Sequence, residues 1–195
     1  MASFFQQSIA YSKTKIIFLG DSLTEGYGVA KEQAYPSLIE KQLTDANIKD
    51  LSIVNAGISG STTAGGLSRL KWLLKGKPTH LVLALGANDG LRGLKIEESQ
   101  KNLEKIILIC QENKIKVMLA GMKVPPNYGQ DYTKKFESIY ETLAKKYNLK
   151  LMPFLLEGVA GEAKLNISDR IHPNAMGHKV IAQNLYKYIK EFIHE

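Results

Sequence analysis

The fold is decided by the stretch KIIFLGDSLT, residues 15–24, in which an apolar run leads directly into a polar turn. Residues 15–19 are apolar almost without alternation, which is typical of a parallel strand buried on both faces. Gly20 permits a tight turn where a side chain would clash. Ser22 then begins a helical segment, whose unpaired backbone N–H groups favour negative charge. The stretch predicts a buried strand that delivers a serine to one edge of a sheet.

Four further runs resemble residues 15–19 and predict strands over 52–55, 81–85, 116–120 and 151–154. Between these runs, apolar residues recur every three or four positions, which predicts helices, the last over about 175–193. The alternation predicts a flavodoxin-like three-layer α/β/α sandwich on a five-stranded parallel sheet, with right-handed crossovers. We expect a single domain over residues 15–195, preceded by a poorly ordered arm over residues 1–14.

Composition excludes several classes of protein. The chain has 195 residues, of which 44% are hydrophobic and 23% charged, as in an average soluble domain. The formal net charge is +7, but all except three of the 26 basic residues are lysines scattered along the chain. This pattern argues against nucleic-acid binding and favours a solvated surface, with steering of anionic substrates as the weaker interpretation. No apolar stretch is long enough for a transmembrane helix, so no integral membrane contact is expected.

Metal and disulfide chemistry are not expected. The only cysteine, Cys110, lies in the apolar run 106–110 and is interpreted as a core residue. One thiol makes neither an internal disulfide nor a cysteine-based zinc site. The spacing of His172 and His178 does not match a zinc-binding pair on one helix face. We therefore expect neither a metal nor another cofactor.

Polar and glycine-rich segments follow the second and third predicted strands. Residues 55–62 contain Gly57 and Gly60, whose backbone N–H groups are candidate donors to an anion. Asn88 follows the third strand, where its amide is a candidate donor to a developing oxyanion. Taken singly, the first segment is more often a plain loop, and the second is more often an Asn-Asp turn stabilised by its own side chains.

The segment SDRIHPN, residues 168–174, places Asp169 three residues before His172. One turn of chain brings both side chains together. A serine nucleophile needs a base for its proton, and that imidazole needs a partner that fixes its tautomer. The segment is a candidate for both roles, while a helix cap and a surface histidine remain the structural alternative.

The four blocks together resemble the SGNH (GDSL) hydrolase superfamily. They are GDSL at residues 20–23, the loop around Gly60, GAND at residues 86–89 and DRIH at residues 169–172. The stretches 54–60, 86–93 and 126–129 are further similar to the bacterial group of thioesterase I / protease I / lysophospholipase L1 and arylesterase. The resemblance covers residues 15–190 and implies the SGNH-hydrolase form of the predicted sandwich.

The resemblance implies a catalytic triad of Ser22, His172 and Asp169. Ser22 is then the nucleophile, His172 the general base and acid, and Asp169 the residue that orients it. These roles imply a serine esterase that hydrolyses carboxylic esters and thioesters, including aryl esters, acyl-CoA and lysophospholipids, through an acyl-serine intermediate.

The same resemblance implies an oxyanion hole. Its donors are the backbone N–H groups of Ser22 and Gly60 and the side chain of Asn88, with Gly57 as the competing glycine. Asp21 and Asp89 are expected to hold these groups in position without contacting the substrate.

An acyl groove is predicted from the segments after the third and fourth strands. Leu91, Leu94, Val124 and Tyr128 are its candidate substrate-binding residues, with ordinary surface loops as the alternative reading. A carbohydrate O-deacetylase of the same superfamily would have a polar cleft instead. The second alternative is a catalytically inactive binding module, which would not be an enzyme.

The expected partner is a small ester or thioester with an acyl chain. We also expect transient contact with lipid, no nucleic acid, and a monomer or weak dimer. Residues 1–7 lack the basic segment and long apolar core of a signal peptide. The sequence as written is therefore expected in the cytoplasm, or in the periplasm or outside the cell if a leader has been removed.

Overall fold

One parallel five-stranded sheet forms the centre of the protein, as predicted. The computed structural model describes residues 14–194, so the predicted arm lies outside the described residues except for Thr14, which begins the first strand. The strands are β1 (Thr14–Gly20), β2 (Leu51–Gly57), β3 (His80–Ala84), β4 (Lys116–Ala120) and β5 (Lys150–Met152). Their order is β2-β1-β3-β4-β5, and every neighbouring pair is parallel.

Helices cover both faces of the sheet. They are α1 (Ser22–Glu25), α2 (Tyr35–Asp45), α3 (Thr63–Leu74), α4 (Ala87–Leu91), α5 (Ile96–Glu112), α6 (Gln130–Tyr147) and α7 (Ala175–Phe192). Short 3₁₀ turns occupy Lys31–Gln33 and Pro126–Tyr128. Helix α2 packs against α7, whereas α5 packs between α3 and α6. Right-handed crossovers put these two groups on opposite faces of the sheet. Within residues 14–194, no helix combines the length and apolarity needed to cross a bilayer.

The fifth strand differs from its predicted range of 151–154. It ends at Met152 because Pro153 follows, and a proline has no N–H group to donate to a strand ladder. The chain then turns around Gly121, whose N–H donates to the carbonyl of Met152 and whose carbonyl accepts from Leu155. The apolar run was read correctly as a strand, but its last two residues belong to the following loop.

The topology brings three loops together at one edge of the sheet. Strand β1 lies between β2 and β3, and the chain leaves it toward β2 before crossing back to β3. Such a switch point opens a crevice at the carboxyl ends of the strands, where ligands of open α/β sheets bind. The segments after β1, β2 and β3, which carry the predicted chemistry, border this crevice.

Helix α1 packs directly on the end of β2. A Cβ atom at Gly57 would lie 2.1 Å from the backbone nitrogen of Glu25, so no side chain fits there. A Cβ atom at Gly20 would likewise lie 1.9 Å from Oγ1 of Thr24. Gly57 is therefore required by the close approach of the α1 backbone, and Gly20 by the packing of the Thr24 side chain against it.

The core contains the single cysteine. Cys110 lies on the inner face of α5 and is fully buried among residues such as Leu103, Ile106 and Ile107. Burial raises the pKa of its thiol to about 12, so the thiolate form is suppressed. The interpretation of Cys110 as a small core residue is confirmed.

Candidate active site

Ser22, His172 and Asp169 form a continuous hydrogen-bonded chain at the carboxyl edge of the sheet. Nε2 of His172 lies 2.9 Å from Oγ of Ser22. Nδ1 of the same imidazole lies 2.6 Å from Oδ2 of Asp169. This is the geometry of a nucleophile, a base and a group that orients the base. The structure thus brings Ser22 together with a histidine that lies 150 residues further along the chain.

The loop before α7 presents Asp169 and His172 from a single turn. Oδ1 of Asp169 accepts the backbone N–H groups of Ile171 and His172, at 2.9 and 3.0 Å. Partial burial raises the pKa of Asp169, but its hydrogen bonds with His172 and Ile171 outweigh burial and lower it to about 2. Asp169 is therefore ionised at neutral pH, as a partner for an imidazolium must be.

Ser22 is the first residue of α1 and is mostly buried. Asp21 caps the helix, because its carboxylate accepts the N–H of Leu23 at 3.0 Å. The backbone N–H of Ser22 makes no hydrogen bond with any residue of 14–194. It is thus available as a donor beside the serine hydroxyl.

The two glycines of the loop after β2 are distinguished by their hydrogen bonds. The N–H of Gly57 donates to the side-chain carbonyl of Asn55 at 2.9 Å and is therefore occupied. The N–H of Gly60 has no acceptor within the described part of the chain. Gly60 also has a φ of 75°, a conformation that favours glycine. These contacts support Gly60 rather than Gly57 as the loop's oxyanion donor.

The side chain of Asn88 lies between the loops that follow β1 and β2. Its Nδ2 atom donates to the carbonyl of Ser61 at 3.1 Å and makes a longer contact of 3.4 Å with Oδ2 of Asp21. Burial raises the pKa of Asp21 to about 6. Asp21 thus contacts two predicted elements of the site, the helix of the nucleophile and the amide of Asn88.

Asp89 ties the start of α3 to α4 and α5. Its buried carboxylate accepts from the N–H and hydroxyl of Thr63, at 2.8 and 2.6 Å, and from the hydroxyl of Ser99 at 3.2 Å. The side chain contacts none of the triad in these hydrogen bonds. It holds the backbone that carries Asn88, which fits the supporting role expected for it.

Sequence reasoning did not identify Arg69, whose guanidinium joins three segments of the site. It donates to the carbonyls of Ala56 and Gly20, at 2.9 and 3.1 Å, and to the hydroxyl of Ser61 at 3.0 Å. Arg69 therefore holds the ends of β1 and β2 against the Gly60 loop. The only signal in the sequence is an arginine in a chain whose cations are otherwise almost all lysines.

Three more residues that sequence reasoning missed position the loops. Glu25 accepts from the backbone N–H of Ser59 at 2.7 Å and from its hydroxyl. Arg92 donates to the carbonyl of Gly60 at 3.0 Å. The ring of Tyr27 lies against the imidazole of His172, with 4.7 Å between ring centroids. These contacts depend on the tertiary fold and leave no local sequence signature.

A largely apolar groove of about 440 Å³ lies beside the site, lined by Leu91, Val124, Pro126, Phe154 and Ile171 among others. Two of the four predicted groove residues, Leu91 and Val124, are placed there. The other two, Leu94 and Tyr128, do not line this groove.

Leu94 and Tyr128 lie outside this groove. Gly93, with a φ of 61°, turns the chain after α4, and Leu94 borders a separate depression with Tyr132. The hydroxyl of Tyr128 donates to the carbonyl of Leu91 at 2.7 Å. Tyr128 therefore holds the end of α4 from the adjacent loop.

The buried histidine of α7 is not aimed at the triad. His178 accepts the backbone N–H of Tyr35 through Nδ1 at 3.3 Å, and burial lowers its pKa to about 4. It is therefore neutral at pH 7. Among the described residues, no group of three or more His, Cys, Asp or Glu side chains is arranged to hold a metal ion.

The fold is a parallel α/β sandwich with Ser, His and Asp side chains at the carboxyl edge of its sheet. Ser22 lies on a GDSL turn and not on the Gly-x-Ser-x-Gly elbow of the α/β-hydrolases. These features together define a serine hydrolase of the SGNH type. The model of the GDSL-like Lipase/Acylhydrolase family matches residues 18–180, and the chain belongs to that family.

Known relatives agree with this assignment. The arylesterase of Vibrio mimicus is 37% identical over 191 residues, covering 95% of each chain. The thioesterase 1/protease 1/lysophospholipase L1 of Escherichia coli K12 is 35% identical, covering 91% of this chain and 84% of the relative. The crystal structure of the esterase EstA from Pseudoalteromonas, inhibited by monoethylphosphonate, superposes with a TM-score of 0.88 at 36% identity, covering 93% of this chain and 100% of the other. The protein is a serine esterase of this family.

Proposed function

We propose that the protein hydrolyses carboxylic esters and thioesters with Ser22 as its nucleophile and His172 as its general base. The observation that carries the proposal is the hydrogen-bonded chain from Ser22 through His172 to Asp169, with distances of 2.9 and 2.6 Å. Asp169 orients the imidazole and stabilises the imidazolium that forms.

The reaction proceeds in two acyl-transfer steps. Oγ of Ser22 attacks the ester carbonyl while Nε2 of His172 takes its proton. The same imidazole then protonates the leaving alcohol or thiol, and the acyl group remains on Ser22. Water attacks this acyl-serine with His172 again as base, which releases the acid and restores the serine.

The oxyanion of each step is stabilised by backbone N–H groups of Ser22 and Gly60 and by the amide of Asn88. The first two donors have no partner among the described residues, which leaves them available for a ligand. The Nδ2 atom of Asn88 carries two N–H groups and contacts Ser61 at 3.1 Å and Asp21 at the longer distance of 3.4 Å, so a substrate oxyanion competes with these acceptors. Donors of this kind act most strongly on charge that develops in the transition state.

The groove beside the triad favours a substrate with an apolar acyl group. Its lining includes Leu91, Val124, Phe154 and Ile171. A carbohydrate deacetylase would need several polar groups for sugar hydroxyls, and the lining, which is apolar apart from Lys123 and Arg170, favours it less. The names of the relatives, arylesterase and thioesterase 1/protease 1/lysophospholipase L1, support aryl esters, thioesters and lysophospholipids as the classes to test.

The proposal is tested with Ser22→Ala on p-nitrophenyl esters from acetate to long acyl chains. Loss of a serine nucleophile costs about 10⁶-fold in turnover, so no activity above background is expected. Ser68→Ala is the matched control, because Ser68 is an exposed serine of α3 that bonds only to Gly65. A fluorophosphonate probe should label the wild type and the control but not Ser22→Ala.

Equal activity of Ser22→Ala and wild type would remove Ser22 from the mechanism. A folded wild type that is inactive on every ester and unlabelled by the probe would favour the binding-module alternative. An optimum at acetate would favour the deacetylase over an enzyme for longer acyl chains.

A further inference from the structure

Arg170 has an unusual backbone conformation within the triad loop. Its φ is 61°, in the left-handed region that L side chains other than Asn and Asp rarely adopt. Lys77 and Lys114 share this conformation, but they lie three and two residues beyond the ends of α3 and α5, in the turns that close these helices. Arg170 follows no helix and lies between Asp169 and Ile171. A glycine would fit this position with less strain, so the side chain itself is the feature to explain.

Arg170 is an exposed residue that lines the apolar groove beside the triad. Its guanidinium makes no hydrogen bond or ion pair with any residue of 14–194, whereas those of Arg69 and Arg92 both donate to backbone carbonyls. The carboxylate of Asp169, its neighbour in sequence, is hydrogen-bonded to the imidazole of His172. Arg170 is therefore a cation of the triad loop that lines the groove, and its guanidinium donors are unused among residues 14–194.

A second cation lies in the same groove. Lys123 lines it from the segment after β4 and lies 5.3 Å from the centre of the Phe154 ring. Its contact with Glu137 is long, at 3.8 Å, and both side chains are 43% exposed, so this pair neutralises it weakly. Among residues 14–194, none of those that line the groove is acidic. The groove thus combines apolar walls with two positive charges.

We propose that Arg170, assisted by Lys123, selects ester substrates that carry an anionic group, a carboxylate or a phosphate. This inference rests on the proposed esterase function and narrows its substrate class. The planar guanidinium is suited to bidentate bonds with either anion, and charge-assisted hydrogen bonds are about twice as strong as neutral ones. The apolar side chains of the groove contact the uncharged part of the acyl group or leaving group that carries the anion.

The anion can be carried by the acyl group or by the leaving group, and two substrate pairs distinguish these sources. In the acyl pair, mono-p-nitrophenyl glutarate is compared with p-nitrophenyl valerate. In the leaving-group pair, the butyrate ester of 4-hydroxy-3-nitrobenzoate is compared with o-nitrophenyl butyrate. The readout is the ratio of kcat/KM for the charged ester to that for the neutral ester, measured in wild type and variants.

Arg170→Gln is expected to lower this ratio about tenfold in at least one pair, since it removes the charge and keeps a polar, hydrogen-bonding side chain. Arg170→Lys should restore part of the loss. Arg170→Gly, which also relieves the left-handed strain, should fold at least as well as wild type and show the same loss. Added salt should lower the wild-type ratio, since exposed charges are screened.

Lys71→Gln is the matched control, because it removes one exposed charge from α3 at a distance from the groove. A ratio that is the same in wild type, Arg170→Gln and Arg170→Gly for both pairs overturns the inference. An equal loss in Lys71→Gln also overturns it, because general steering by net charge would then be the cause. A wild type that hydrolyses none of the four esters would instead contradict the proposed function itself.

Discussion

Asp21 is a buried carboxyl group beside the nucleophile, and its titration is coupled to folding. Burial raises its pKa from 3.8 to about 6 in the folded protein. Below pH 3.8 the group is protonated in both states, and its contribution to stability is fully present. As pH rises through 6, the folded protein must ionise a buried carboxyl, and that contribution is lost.

Asp21→Asn should therefore become more stable relative to wild type as pH rises from 4 to 7. Over this pH range, the unfolding free energy of Asp21→Asn minus that of wild type should rise by on the order of 3 kcal/mol, from 1.36 kcal/mol per pKa unit. Urea unfolding at a series of pH values measures it. Asp45→Asn is the control, because Asp45 is exposed on α2. A difference between Asp21→Asn and wild type that does not change with pH would contradict this assignment.

The side-chain amide of Asn88 is the third proposed donor of the oxyanion hole, and its role can be tested by substitution. If its amide stabilises the oxyanion, Asn88→Ala should lower kcat by about 10²- to 10³-fold and leave a measurable rate. Asn113→Ala is a suitable control, since Asn113 bonds only at the end of α5. Full activity of Asn88→Ala on p-nitrophenyl esters would exclude Asn88 from the oxyanion hole.

At the scale of elements, the site depends on how closely α1 lies against β2. A Cβ atom at Gly57 would meet the backbone nitrogen of Glu25, which has no flexible end that can move aside. Gly57→Ala must therefore displace α1, and with it Ser22, from the position that His172 reaches.

Gly57→Ala is expected to lower the unfolding free energy by about 1–3 kcal/mol, as overpacking does, and to lower kcat as well. Gly65→Ala offers a matched comparison, since its Cβ would contact only side-chain oxygens of Ser61 and Thr62 and lies within α3. Denaturation and ester hydrolysis measured on both variants check the prediction. Equal stability and activity of the two variants would show that α1 is not held by this contact.

The strands could be predicted from the sequence because their apolar runs are continuous. The fourth strand matches its predicted range of 116–120, and the first extends by one residue at each end. Strand ends depend instead on single groups, such as the missing N–H of Pro153. The pairing of Asp169 with His172 could be suggested from their shared turn, but the triad as a whole was predicted only from the resemblance of the four sequence blocks to the SGNH superfamily. Arg69 was not, because its three acceptors are distant in sequence.

At the scale of the whole molecule, the groove is assembled from segments after β3, β4 and β5 together with the triad loop. Sequence analysis assigned Leu91 and Leu94 to the same surface because they are close in the chain. The left-handed turn at Gly93 separates them. Side-chain direction after such a turn is set by packing, which no local pattern records.

This separation gives a prediction with an internal control. Leu91→Asp should reduce the hydrolysis of octanoate esters more than that of acetate esters, lowering the ratio of their rates by about tenfold, because each buried CH₂ contributes about 0.8 kcal/mol. Leu94→Asp should leave the ratio close to that of wild type. Chain-length profiles of the two variants test this, and equal profiles would mean that the acyl chain does not enter the groove.

The burial of Cys110 makes the protein a single-thiol reporter of its own folding. A reagent such as dithionitrobenzoate reacts with thiolate, and this thiol reaches neither solvent nor its ionised form while α5 stays docked on the sheet. Modification of the native enzyme must then wait for an opening of the core, and its slow rate measures how often that opening occurs. Because the native thiol does not react while the protein is folded, a cysteine introduced at a surface position can be labelled selectively with a probe. Cys110 does not have to be replaced for this purpose.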